Sequence, residues 1–234
     1  MERGALLYEG KAKKVFATPN PDQVIQYFKD DATAFNAQKR GTIFEKGIAN
    51  NKISTRLFNL LNEAGIPTHF LEEISDREML AKHVKIVLLE VVVRNRATGS
   101  LVKRLGLKDG MVIDPPLLEF FYKKDELNDP LVTEDHIRLL NLADHSCLAD
   151  MKKLAFQIND VLTPFFKSRG MLLVDFKLEF GFYKNQLVLA DEISPDTCRL
   201  WDIQSGEILD KDRFRKDLGR LEETYREVLN RVSA

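Results

Sequence analysis

Apolar positions in the first third of the chain come in short runs. Leu6–Glu9, Lys13–Ala17 and Val24–Phe28 are separated by Gly10 and by Pro19-Asn20-Pro21, which predicts strands joined by turns. From Glu45 to Ala64 the period changes. Ile48, Ile53, Leu57, Leu60 and Leu61 fall near one stripe, and Gly65 and Pro67 follow, so the segment reads as a helix. Thr68–Ile74 reads as a strand. Ile86–Val93 is dense in branched aliphatics and predicts a strand buried on both faces. Gly99-Ser100 opens a short helix through Arg104, and Asp114-Pro115-Pro116 breaks the chain. Thr133–Ala143, Leu148–Lys167 and Phe214–Val232 read as helices. Met171–Gly181 and Leu187–Asp191 read as a strand pair.

Strands first, then mixed elements, then helices describe an α+β protein with a β-rich N-terminal lobe. The expected division is 1–84 for that lobe and 85–234 for a larger α/β lobe. The 234 residues and 44% hydrophobic content allow a sizeable core. Thirty-five Lys and Arg against 36 Asp and Glu give a net charge of −1, which weighs against a nucleic-acid partner. The two cysteines, Cys147 and Cys198, have no CxxC partner and suggest neither a disulfide scaffold nor a zinc site. The N-terminus lacks the apolar core of a signal peptide. The run Ile86–Val93, interrupted by Glu90, is far shorter than the ~20 residues of a membrane helix. A cytoplasmic protein with no membrane partner is expected.

The segment Leu173–Gly181, LVDFKLEFG, carries the candidate chemistry. Strand alternation puts Asp175, Lys177 and Glu179 on one face. By pattern alone, a half-buried strand with a solvated outer face leads. The next strand ends in Asp191-Glu192. A three-residue loop, Lys184–Gln186, would set Glu179 opposite Asp191, ~5 Å away. Two such carboxylates need a cation between them, and Mg²⁺ suits hard oxygen donors. A two-residue loop would spoil that pairing.

Cationic loops surround this strand in sequence. Arg94 at a strand end, followed by Thr98-Gly99-Ser100 at a helix start, fits either a phosphate site or a plain cap with solvated arginines. Gly10-Lys11-Ala12-Lys13 makes a hairpin tip with two lysines, though no GxxxxGK[ST] pattern is present. Ser194–Arg199, Lys123-Lys124 and Asn128-Asp129-Pro130 are further polar loops. His69, His83, His136 and His145 form no HExxH pair or recognisable triad.

These residues resemble the SAICAR synthetase (phosphoribosylaminoimidazole-succinocarboxamide synthase) family. Glu90–Ser100, EVVVRNRATGS, and Leu173–Gly181, LVDFKLEFG, are similar to its two signatures. Tyr8–Lys13, Asn128–Pro130, Asp191-Glu192, Ser194–Asp196 and Asp210–Arg215 extend the resemblance over nearly the whole chain. Leu88 stands where the family usually has proline, and Asn36 where many members have aspartate. The resemblance implies a two-lobed, kinase-like or ATP-grasp-like fold. It also implies an ATP-dependent ligase of purine biosynthesis. Its substrates would be ATP, L-aspartate and carboxyaminoimidazole ribonucleotide (CAIR), with an acyl phosphate on the way. By the same resemblance Glu179 and Asp191 hold Mg²⁺ on the ATP phosphates, and Lys177 binds the CAIR carboxylate. Asp175 orients substrate or accepts the amine proton. Arg94, Ser100 and Arg199 bind the 5′-phosphate. Lys11, Lys13 and Lys123 cover the nucleotide, and Asp129 and Asp196 line the pocket. A homodimer is implied as well. The alternatives are a kinase that stops at phosphoryl transfer and a non-catalytic nucleotide-binding module.

Overall fold

The computed structural model describes residues 2–34 and 38–234, so Asn36 lies outside the described residues. Strands β1 (Leu6–Glu9), β2 (Lys13–Ala17) and β3 (Gln23–Phe28) form an antiparallel meander, as their spacing predicts. A small hairpin, β4 (Asp31–Ala34) with β5 (Lys39–Thr42), leads to helix α1 (Lys46–Glu63). Strands β6 (Phe70–Ser75) and β7 (Glu78–Lys82) return to the first sheet, giving the order β1-β2-β3-β7-β6. The chain then enters a second sheet at β8 (Lys85–Arg96). Helix α2 (Gly99–Leu105), β9 (Val112–Tyr122), β10 (Leu131–Val132), α3 (Glu134–Leu139) and α4 (His145–Ser168) follow. Strands β11 (Met171–Tyr183), β12 (Gln186–Ala190) and β13 (Cys198–Asp202) complete the sheet. Helices α5 (Asp212–Arg215) and α6 (Leu221–Ser233) close the chain. The second sheet runs β10-β9-β8-β11-β12, with β13 also on β11.

Helix α4 covers one face of this sheet. Val87, Leu89, Val91 and Val93 of β8 and Phe176, Leu178 and Phe180 of β11 join its Met151, Ala155, Ile158 and Leu162 in the core. Apart from Ala155, each such side chain contributes roughly 1.5–3 kcal/mol on burial. The opposite face is polar and carries the site. Helix α1 starts where it does because Asp30 accepts the Gly47 N–H at 2.8 Å and pairs with Arg77. A Cβ on Gly47 would lie 2.4 Å from the Phe28 carbonyl oxygen, so only glycine fits.

Three local expectations need correction. Strand β8 is not buried on both faces: Leu88 is 48% exposed, and burial alternates along the strand. Asp114-Pro115-Pro116 does not break the chain but lies inside β9. The β8–β9 register jumps there, from Arg94↔Leu117 to Arg96↔Val112, so the prolines sit where a ladder N–H is not required. The C-terminal helix is split: α5 ends at Arg215 and α6 starts at Leu221, with Asp217, Gly219 and Arg220 in left-handed conformation between them. Among the described residues no helix is long and apolar enough to cross a membrane.

Candidate active site

Strand β11 has 13 residues, and its two ends pair differently along one edge. Met171–Phe176 meet β13, and Glu179–Tyr183 meet β12. Between these partners the edge is open. There the Lys177 N–H donates to the Thr197 carbonyl at 2.8 Å, and the loop from Asp191 to Thr197 crosses the strand. On the other edge β8 sets Glu90 opposite Glu179 and Arg94 opposite Asp175. Alternation therefore puts Glu90, Arg94, Asp175, Lys177 and Glu179 on one face. That face is not a solvated exterior, for Asp175 and Glu179 are buried.

The predicted hairpin register is wrong. The loop has two residues, Lys184-Asn185, both with positive φ, and Tyr183 pairs with Gln186. Glu179 therefore faces Ala190, not Asp191. The two carboxylates converge by another route. Asp191 leaves the strand with φ 64°, and this turn brings its side chain back over β11. Lys177 Nζ then lies 2.6 Å from Glu179, 3.3 Å from Asp191 and 3.2 Å from Glu90. The cation that sequence reasoning required is supplied by Lys177.

Other lysines reinforce this centre. Lys13 donates to Asp191 and lies 3.4 Å from Glu192, and Lys123 donates to Glu179 at 2.8 Å. Burial disfavours the charge on Lys177, but Glu179, Asp191 and Glu90 outweigh it and hold the ammonium well above the usual lysine value. Burial likewise opposes ionisation of Asp191, yet Lys13, Lys177 and Lys123 hold its carboxyl below the normal carboxylate range. All these groups line a cleft of about 1170 Å³, together with Lys11, Asp129 and Asp196. Lys11 pairs with Asp125 at 2.6 Å. Asp129 accepts the Lys124 N–H at 2.8 Å, which shapes the loop carrying Lys123. Asp196 is consumed by structure: fully buried Lys46 approaches to 2.7 Å and the Tyr225 hydroxyl to 2.5 Å.

Among the described residues no three His, Cys, Asp or Glu side chains converge on one metal position. Glu179 and Asp191 still fit Mg²⁺ on a nucleotide, since that ion takes hard oxygens and usually only one or two carboxylates beside the phosphates.

A second cluster lies toward the other end of β11, outside the cleft lining. Arg94 donates to Asp175 at 2.6 Å and to Glu119 at 2.7 Å, with Ser100 Oγ at 3.5 Å. Arg199 donates to Asp175 at 2.9 Å and to Asp212 at 2.9 Å. The four residues Arg94, Ser100, Asp175 and Arg199 are thus brought together. Their surroundings differ from one another. Arg94 is 2% exposed and spends two of its nitrogens on carboxylates, so it anchors the cluster. Arg199 is the more exposed guanidinium. Asp175 already accepts from two arginines, which suits orientation and not proton transfer. Thr98 is the N-cap residue of α2, and among the described residues its side chain makes no cap bond. Gly99 has φ 57°, and a Cβ there would lie 2.9 Å from Arg199 Nη2, so this glycine lets the guanidinium pack against the loop.

Sequence reasoning missed Glu90, Glu192, Lys46 and His69. Glu90 was legible, since it opens the first signature and shares the face of Arg94. His69 gave no signal. It lines the cleft, is 1% exposed, and among the described residues neither ring nitrogen has a hydrogen-bond partner. Burial, then Lys13, lowers its pKa to about 3. The unfolded chain binds a proton below about pH 6.5 that the folded protein refuses until about pH 3, so stability falls across that window on acidification. From pH 6.5 to 5 this amounts to about 2 kcal/mol. His69→Phe should therefore lose less stability than the parent between pH 7 and pH 5 in urea titrations. Parallel losses would show that His69 does not carry the effect.

The family model described as SAICAR synthetase matches residues 6–232. Phosphoribosylaminoimidazole-succinocarboxamide synthase of Persephonella marina is 57% identical over 232 residues, covering 99% of this chain and 98% of the relative. The crystal structure of the synthase from Ehrlichia chaffeensis superposes with TM-score 0.96 at 49% identity, covering 98% and 99% of the two chains. A SAICAR synthetase in complex with ADP superposes with TM-score 0.93 at 44% identity, covering 96% of each chain.

Proposed function

The chain belongs to the SAICAR synthetase family, ATP-dependent ligases that join L-aspartate to CAIR in purine biosynthesis, and on that premise we propose how its residues divide the work. The observation that carries the assignment is the Lys177 ammonium, held between Glu179, Asp191 and Glu90 in the cleft. A CAIR carboxylate oxygen attacks the γ-phosphorus of ATP, and the bond to the β-phosphate oxygen breaks to give ADP and an acyl phosphate. The aspartate amine then attacks the acyl carbon; the C–N bond forms, inorganic phosphate leaves and the amine proton passes to solvent. Lys177 binds the carboxylate and balances charge as the phosphoryl group moves. Lys11, Lys13 and Lys123 hold the nucleotide phosphates. Glu179 and Asp191 hold Mg²⁺, which when bound neutralises phosphate charge. Arg199 and Ser100 bind the 5′-phosphate of CAIR, with Arg94 and Asp175 behind them. Asp129 shapes the Lys123 loop, and Asp196 fixes the cleft wall through Lys46 and through Lys211, 3.5 Å away.

In this reading residues 1–84 form the lobe over the nucleotide and 85–234 the lobe that binds CAIR. Family resemblance alone supports a cytoplasmic homodimer, and light scattering on the purified protein tests the dimer. The chemical route is tested with CAIR labelled by ¹⁸O in its carboxylate. Label should appear in inorganic phosphate, and SAICAR formation should need both CAIR and aspartate. Unlabelled phosphate would exclude the acyl phosphate. Aspartate-independent ADP release with a stable phosphorylated product would point to a kinase.

A further inference from the structure

Asp210 lies between β13 and α5 and is 1% exposed. Its two oxygens are taken by backbone N–H groups, Leu200 at 2.9 Å and Asp212 at 2.7 Å. The main chain closes the same loop, since Leu209 N–H donates to Leu200 O at 2.8 Å and Arg213 N–H to Asp210 O at 3.1 Å. Leu200 follows Arg199 directly, and Asp212 is the carboxylate that holds the Arg199 guanidinium. One buried carboxylate thus fixes the backbone of an arginine and of its acidic partner together. Asp212 also holds Arg215. Burial and the neighbouring Asp212 push the Asp210 carboxyl up to about 7, against the two N–H donors and Arg199, which favour its ionised form. Burying this carboxylate costs stability, and what it holds is the backbone of Leu200, next to Arg199, and of Asp212, the Arg199 partner.

We infer that Asp210 is a positioning residue for the phosphate end of CAIR, acting through the Arg199–Asp212 pair. The inference rests on the reading that Arg199 binds the 5′-phosphate. Asp210→Asn puts an amide N–H where one backbone donor points, which releases either Leu200 or Asp212.

The test is steady-state kinetics of SAICAR formation by the full chain. In Asp210→Asn the KM for CAIR should rise about tenfold, the scale of a lost charge-assisted hydrogen bond, and more than kcat or the KM for ATP changes. In an Arg199→Ala background the same substitution should add less than about twofold, because residues acting through one group are not additive. A full additional rise in that background, equal effects on both KM values, or an unchanged KM for CAIR would overturn the inference. Should Asp210→Asn not fold, Asp212→Ala keeps the Leu200 clamp and removes the seat of Arg199; an unchanged KM for CAIR there overturns it equally. If Arg199→Ala itself leaves the KM for CAIR unchanged while SAICAR still forms, the phosphate assignment fails and the inference with it. If only Asp210→Asn is silent, the assignment stands and the inference alone fails.

Discussion

Lys177→Ala is expected to lower the turnover of SAICAR formation by about 10² or more while the protein stays folded, the scale seen when a preorganised charge-stabilising group is removed. Geometry supplies the reason. Lys177 is the shared partner of Glu90, Glu179 and Asp191. Without it, the carboxylate of CAIR meets an acidic floor, and the phosphoryl group moves with no fixed cation beneath it. The fold survives because Lys13 still neutralises Asp191 and Lys123 still neutralises Glu179. Lys177→Met, which keeps the stem, should behave like the alanine variant. Near-wild-type turnover with an unchanged melting temperature would take Lys177 out of the mechanism.

Arg94→Ala has a different expected signature. By the 5′-phosphate role that family resemblance implies for Arg94, the change would chiefly raise the KM for CAIR. The structure makes it first a stability variant. Removing the guanidinium leaves the buried carboxylate of Asp175 and the partly buried one of Glu119 without their shared partner. Stranding buried charge in this way costs about 3–5 kcal/mol. Arg199 on Asp175 and Arg104 on Glu119 reduce the loss, so the lower end of that range is expected. Guanidinium titrations give the check through the shift in midpoint at constant slope. An unshifted midpoint would show that the arginine is replaceable by water, and would return Arg94 to a purely substrate-facing role. Arg199→Ala is the cleaner probe of CAIR binding, since Arg199 is the more exposed of the two.

The sequence made some of this legible and hid the rest for identifiable reasons. Alternation in LVDFKLEFG put Asp175, Lys177 and Glu179 on one face, and β11 keeps it. Periodicity located α1 and α4 to within a few residues. Pairing failed wherever it depended on one backbone torsion. Nothing in the sequence announces that Asp191, a non-glycine, adopts φ 64°. The amphipathic pattern of Phe214–Val232 likewise runs through a break made by Asp217, Gly219 and Arg220. Partners far apart in sequence were also hidden. Lys13 meets Asp191 across 178 positions and Arg94 meets Asp175 across 81, so arginines read as phosphate ligands proved to be paired with acids. Family resemblance supplied the reaction, which no local pattern contains.

The Lys184-Asn185 turn lies far from the chemistry, yet it constrains how this sequence can change. Both turn residues have positive φ, so exchange of Lys184-Asn185 for Asn-Gly should be tolerated. Length is another matter. One inserted residue would slide β12 against β11, turn Leu187 and Leu189 toward the opposite face, and carry Asp191 away from Lys177. In a randomised library, survivors at this exposed tip should vary freely in composition and hardly at all in residue count.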